Sequence, residues 1–138
     1  MTQKREKIEG DINLSKVAEY LLGDEAFKAL PSLLERDYGI RVEGKFKRCY
    51  LTDRKGKKIE VNIYGKGIKD GKKIVIIGES KPKLSKRGVN EFIRRKLRRF
   101  EGVFREIFPV LVTHMISEPD VEDYARERGV AVYYSYDF

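Results

Sequence analysis

The sequence predicts an α/β (α+β) protein with one mixed central β-sheet, in which a three-stranded antiparallel meander is followed by a helical crossover. Two charged turns that contain glycine separate three consecutive strand patterns. A basic amphipathic helix pattern follows the third strand, and a strand, a helix and a last strand complete the chain. The expected order is αβββαβ, with an extra helix at the N-terminus and an additional αβ unit at the C-terminus.

Two helices are expected before the sheet. Apolar residues at helical spacing predict a first helix over residues 13–22, which Gly23 would end. Asp24 is a candidate N-cap for a second helix, which Pro31 would kink.

The period of the apolar residues then changes from helical spacing to alternation. Apolar and charged residues alternate over residues 40–47. After a turn at 53–56, the aliphatic residues 59, 61 and 63 alternate with Glu60, Asn62 and Tyr64. After a second turn at 69–72, residues 73–79 are almost continuously apolar, which is typical of a central strand covered on both faces.

The C-terminal half is predicted to alternate helices and strands. Ser85 can cap a long amphipathic helix, which Pro109 would break. A buried strand is expected over residues 110–116, a last helix over 117–129 and a final strand over 130–136.

Composition limits the classes of protein that fit. Thirty Lys and Arg against 22 Asp and Glu leave a net charge of +8 on 138 residues, which favours a polyanionic partner such as nucleic acid. A single cysteine excludes an internal disulfide and a cysteine-based zinc site. Residues 1–12 read as a charged tail before a single domain at 13–138. We expect a cytoplasmic protein without a membrane span, with the charge-rich usage typical of thermophiles.

Polar side chains lie on two neighbouring predicted strands. Glu60 and Asn62 share a face because side chains alternate along a strand, and Glu79 and Lys81 share a face on either side of Ser80. If the hairpin brings the two faces together, carboxylates, an amide and an ammonium group meet at one sheet edge. Oxygen ligands of this kind suit a hard divalent cation such as Mg²⁺.

These residues have the form of a known motif. The run Glu60-Val61-Asn62, followed after an apolar strand by Glu79-Ser80-Lys81, resembles the motif of the PD-(D/E)xK nuclease superfamily. The resemblance extends over residues 24–136 and implies a restriction-endonuclease-like fold. It also implies binding of nucleic acid and metal-dependent hydrolysis of phosphodiester bonds.

The resemblance assigns roles to individual residues. Glu79 matches the acidic residue of the motif and Lys81 its lysine, so both are candidate catalytic residues. Asn62 stands where the motif usually has its first Asp, and its amide oxygen can bind a metal but brings no negative charge. The implied cofactor is Mg²⁺ or Mn²⁺, with candidate ligands Glu79, Asn62, Glu60, Glu25 and the carbonyl of Ser80.

Cations are concentrated after the motif. Nine lie among the nineteen residues from Lys81 to Arg99, where Glu91 is the only acid. Cations next to a metal site would bind the phosphates of a nucleic acid without reading its sequence. The candidate nucleic-acid-binding residues are Lys83, Lys86, Arg87, Arg94, Arg95, Arg98 and Arg99.

We therefore expect a nucleic-acid-binding protein, with DNA favoured over RNA, that is a metal-dependent DNA endonuclease or a degenerate relative of one. Because one site cuts one strand, an enzyme that cuts duplexes would need to be a symmetric homodimer. One alternative is a catalytically inactive DNA- or RNA-binding or assembly module with the same fold. Another is a basic RNA-binding protein unrelated to nucleases. In the blandest interpretation, Glu79 and Lys81 form a solvated ion pair and the cations cover an ordinary helix face.

Overall fold

A five-stranded mixed sheet with the order β1-β2-β3-β4-β5 forms the centre of the computed structural model, which describes residues 2–138 and their side chains from Leu14 onward. The first three strands form an antiparallel meander, as the sequence predicts. The last two strands pair in parallel with their neighbours, which makes the sheet mixed. The strands are β1 (Arg41–Thr52), β2 (Lys58–Lys69), β3 (Lys72–Leu84), β4 (Ile107–Ile116) and β5 (Ala131–Tyr134). The helices are α1 (Thr2–Tyr38), α2 (Lys86–Arg95) and α3 (Val121–Glu127), with 3₁₀ turns at Leu97–Phe100 and Ser135–Asp137.

A single helix precedes the sheet, so the prediction of two helices is wrong. Helix α1 continues through Gly23 and contains Pro31. Its buried residues recur every three or four positions across both of the expected segments, so packing on the sheet favours one helix over the local breaks. These residues are Leu22, Ala26, Leu30, Leu33 and Leu34. The tail expected over residues 1–12 lies outside the described side chains.

Strand β3 is longer than expected and helix α2 is shorter. The strand continues to Leu84, so the motif residues lie inside it and not at its end. The helix stops at Arg95, and the following 3₁₀ turn brings Phe100 into the core. Pro109 does not end a helix but lies within β4, before the first residue that pairs with β5. Its missing N–H therefore has no ladder to interrupt on that side.

Two apolar layers cover the sheet. One packs under α1 and includes Ile63, Ile76 and Val112. The other packs under α2 and α3 and includes Ile77, Phe92 and Leu111. Alternate residues of the central strands face the two layers, which accounts for the nearly continuous apolar run in β3. Among the described residues, no helix is long and apolar enough to cross a membrane.

Candidate functional site

Strands β2 and β3 separate at the motif. They pair from Lys69 and Lys72 as far as Ile63 and Gly78, and no further. Beyond that point β2 continues in its pairing with β1, while β3 continues in its pairing with β4. The sheet therefore opens into a fork whose two walls belong to different strand pairs. Extending the register by one residue would bring Asn62 opposite Glu79, so the motif residues lie where the fork begins.

A cleft of about 470 Å³ lies at this fork and reaches across to α2. Its lining combines acidic and basic residues, with Ile59 and Phe92 as apolar surface. The acidic residues are Glu60, Glu79 and Glu91, and the basic residues are Lys58, Arg95, Lys96 and Arg99.

The two candidate catalytic residues form an ion pair within β3. The Nζ of Lys81 lies 3.8 Å from Oε1 of Glu79, and their side chains are 29% and 14% exposed. By alternation both share the face of Ile77, which packs in the layer under α2. Ser80, between them, points the other way, and its hydroxyl donates a hydrogen bond of 2.6 Å to the carbonyl of Glu19 on α1.

Asn62 lies at a β-bulge. From the pair Tyr64 and Lys47 to the pair Val61 and Cys49, β2 advances by three residues and β1 by two. Strand β2 therefore carries one extra residue here, which interrupts the period of two from which a face shared by Glu60 and Asn62 was predicted. Asn62 is buried, with 8% of its surface exposed. Bulges next to sites re-aim side chains, and this one coincides with the end of the β2–β3 pairing.

Of the other predicted ligands, Glu60 lines the cleft together with Glu79, whereas Glu25 does not. The backbone carbonyl of Glu60 accepts a hydrogen bond from the ammonium group of Lys96. Glu25 is exposed on α1, and its neighbour Asp24 forms an ion pair of 3.0 Å with Arg48.

Two acidic residues near the site were not among the predicted ligands. Glu91 on α2 lines the cleft and accepts a hydrogen bond of 3.2 Å from Arg87. Its signal in the sequence is that it is the lone acid among nine cations. Glu19 lies where α1 meets β3, and its backbone carbonyl contacts Ser80 on the face of β3 opposite to Glu79 and Lys81.

The predicted phosphate-binding residues divide into paired and unpaired cations. Lys86 contacts Asp120 at 2.6 Å, and Arg87 contacts Glu91 at 3.2 Å. Arg99 contacts Asp53 at 3.1 Å, and the side chain of this Asp is 1% exposed. The exposed remainder have no carboxylate within 4 Å among residues 14–138: Lys83, Arg94, Arg95 and Arg98.

The donor set does not form a closed metal cage. Within the described part of the chain, no group of three or more His, Cys, Asp and Glu side chains is placed to hold an ion. Mg²⁺ commonly takes only one or two carboxylates and completes its shell with waters and substrate phosphates. The carboxylate of Glu79 lines the cleft and suits a site of that open kind, whereas Asn62 is buried and is not among the residues that line the cleft.

Comparison with known proteins identifies the fold and not the family. No family model and no curated protein matches the chain. The structure is similar to the crystal structure of a protein of unknown function, AF1548, with a TM-score of 0.52 and 14% identity over 80% of this chain. It is also similar to the MspJI restriction endonuclease in complex with a 27-mer oligonucleotide, with a TM-score of 0.53 and 16% identity over 86% of this chain. The chain spans 58% and 26% of the lengths of these two proteins. These likenesses show a restriction-endonuclease-like fold.

Proposed function

We propose that this protein binds nucleic acid, DNA in preference to RNA, and hydrolyses phosphodiester bonds at the fork between β2 and β3. The observation that carries the proposal is the position of the Glu79–Lys81 ion pair, on the strand that forms one wall of a cleft lined by carboxylates and arginines. The similar MspJI structure contains a 27-mer oligonucleotide, which supports nucleic acid as the partner.

Each residue of the fork has a proposed role that follows from the chemistry of its side chain. Arg95 and Arg99 line the cleft and would bind phosphate oxygens of the substrate. Lys81 would orient the attacking water and help to remove its proton. Glu79 would hold the ammonium group of Lys81 beside it through their ion pair.

A divalent cation completes the proposal. Mg²⁺ or Mn²⁺ would be held by Glu79 and Asn62, with Glu60 and the carbonyl of Ser80 as further candidate donors, and would polarise the phosphoryl group. Glu25 stays a sequence prediction, because its exposed position on α1 adds no support. A site with one carboxylate and one amide should bind the metal weakly without substrate and more tightly with it.

The test is the nicking of supercoiled plasmid in the presence of Mn²⁺. Wild-type protein should convert the plasmid to its nicked form, and Glu79→Gln and Lys81→Met should lower the rate by about 10²–10⁴-fold. Glu106→Gln is the matched control, because Glu106 is an exposed carboxylate on the segment before β4, away from the cleft. Equal nicking by all four proteins would point to a contaminating nuclease and contradict the proposal.

A second candidate function is an inactive nucleic-acid-binding module with the same fold. Two observations favour it: the uncharged Asn62 in the motif and the lack of a three-carboxylate cluster among the described residues. Calorimetric titration of Mn²⁺ with and without a DNA duplex separates the two functions. Metal binding that requires DNA and is lost in Glu79→Gln supports the hydrolase, whereas DNA binding without any metal uptake supports the module.

A further inference from the structure

The turn between β1 and β2 carries a second group of cations. Four of the six residues from Asp53 to Lys58 are basic: Arg54, Lys55, Lys57 and Lys58. The sequence pattern predicts only a turn here, and the candidate phosphate-binding residues all lie beyond Lys81.

A buried carboxylate fixes the shape of this turn. Asp53 is 5% exposed, and one of its oxygens accepts hydrogen bonds from the backbone N–H groups of Lys55 at 2.9 Å and Lys57 at 2.8 Å. Its other oxygen accepts a hydrogen bond of 3.1 Å from Nε of Arg99. The N–H of Arg54 also donates to the carbonyl of Arg99 at 3.0 Å. The turn is therefore attached to the 3₁₀ turn that follows α2.

A groove of about 260 Å³ lies between the turn and the end of α2, and we call it the turn groove. It shares Arg95 and Arg99 with the cleft at the fork, so the two surfaces are continuous. Its lining residues are Asp53, Arg54, Lys55, Lys57, Arg94, Arg95 and Arg99.

The positive charge of the turn groove is largely uncompensated. Asp53 is already engaged by Arg99. Arg54 has a carboxylate only at 3.8 Å, on the exposed Glu101, and exposed ion pairs of this kind contribute little. Among the described residues, no carboxylate lies within 4 Å of Lys55, Lys57, Arg94 or Arg95. Cations that have no carboxylate partner and are held on a turn of fixed shape are suited to bind the phosphate groups of a nucleic acid.

We propose that the turn groove binds the phosphate backbone of the nucleic acid that enters the cleft, and that Lys55 and Lys57 contact phosphates away from the cut. This inference rests on the proposed function, because it supposes that the partner is nucleic acid. Contacts of this kind position the strand and raise its affinity without reading its sequence. They also account for the buried Asp53, which holds the turn in the shape that presents the two lysines.

The salt dependence of DNA binding tests the proposal. The turn variant is Lys55→Ala with Lys57→Ala, and the control variant is Lys72→Ala with Lys73→Ala at the start of β3, at the opposite end of the meander. Both variants remove two positive charges. The turn variant keeps the backbone N–H groups that donate hydrogen bonds to Asp53, so its fold and melting temperature should be unchanged.

Fluorescence anisotropy with a labelled DNA duplex measures the affinity at several salt concentrations. The slope of log K against log salt should fall by up to about 2 in the turn variant, because each lost phosphate contact lowers it by about 0.9. The control variant should keep the wild-type slope.

The outcomes separate this proposal from the proposed function. If the wild-type protein binds DNA but the slope is unchanged in the turn variant, or falls equally in both variants, the proposal for the turn groove is wrong. The proposed function is then unaffected. A wild-type protein that binds no DNA duplex at low salt overturns both proposals.

Discussion

At the scale of single residues, Asp53 is a buried carboxylate that stays charged. Burial by itself would raise the pKa of Asp53, but the backbone donors of Lys57 and Lys55 and the guanidinium of Arg99 outweigh it, so the pKa lies below its ordinary value. The folded state therefore favours the ionised form. The contribution of Asp53 to the free energy of unfolding is fully present above about pH 3.9, the pKa of the group in the unfolded chain. It is lost as the pH falls through the lower pKa of the folded state.

The Asp53→Asn variant tests that linkage. At pH 7 it should unfold at a lower urea concentration than the wild type, because the amide brings no charge to Arg99 and accepts the backbone donors less well. At pH 3 the difference should shrink, because the wild-type carboxylate is then partly protonated in the unfolded chain. Glu106→Gln, which removes an exposed carboxylate on the segment before β4, is the control for the loss of one negative charge. A difference that grows at low pH would contradict the sign of the pKa shift.

The motif shows which residue-scale features could be predicted from sequence. The shared face of Glu79 and Lys81 follows from the strand period, and their ion pair agrees with it. The surroundings of Asn62 could not be predicted, because a bulge depends on how β2 pairs with β1. Glu91 and Glu19 were missed for a related reason, since each is placed by packing between elements distant in sequence.

At the scale of elements, Gly23 lies inside α1, at a position where the structure can accommodate a side chain. An added Cβ would lie 3.6 Å from Oγ of Ser80, which is ordinary van der Waals contact. Gly23→Ala should therefore stabilise the protein by about 0.5–1 kcal/mol, because alanine loses less backbone freedom in a helix. Urea unfolding measures the change. A destabilised variant would show that α1 is broken at this point.

Gly78 in β3 predicts the opposite result. An added Cβ would lie 2.6 Å from the backbone oxygen of Val110 and 2.7 Å from its Cγ1. Since β3 and β4 cannot pair at their present distance around that atom, Gly78→Ala should destabilise the protein by about 1–3 kcal/mol. It should also slow nicking, because Glu79 is the next residue. The same unfolding measurement applies, with Gly23→Ala as the comparison, and unchanged stability would contradict the close approach.

The elements predicted correctly are those fixed by local pattern. The two glycine-containing turns and the alternating strands give the antiparallel meander, which the structure confirms. The helix boundaries were wrong where local signals compete with packing. Gly23 and Pro31 favour a break, but the apolar stripe of α1 continues on both sides of them and packs on one sheet. Pro109 is compatible with a strand because the pairing of β4 with β5 begins one residue later, at Val110.

At the scale of the whole molecule, the described part of the chain contains one fork, so the proposed hydrolase would have one cutting position per chain. We expect nicked plasmid to appear first and linear plasmid only at protein concentrations where two copies associate. Light scattering after size-exclusion chromatography gives the oligomeric state at the same concentrations. A monomer that produces linear plasmid directly from the supercoiled form would contradict this expectation.

The two walls of the fork are expected to form at different stages of folding. Its β2 wall is paired with β1 through a short turn, whereas its β3 wall is completed by β4, which lies beyond the whole crossover. Contacts between neighbouring segments close short loops and form early, and the parallel pairing must close a longer one. During synthesis every residue of the motif, from Glu60 to Lys81, is present before β4 exists. A partly synthesised chain therefore carries the complete motif before the β3 wall of the fork is completed, and the proposed cutting would begin only after β4 has paired with β3.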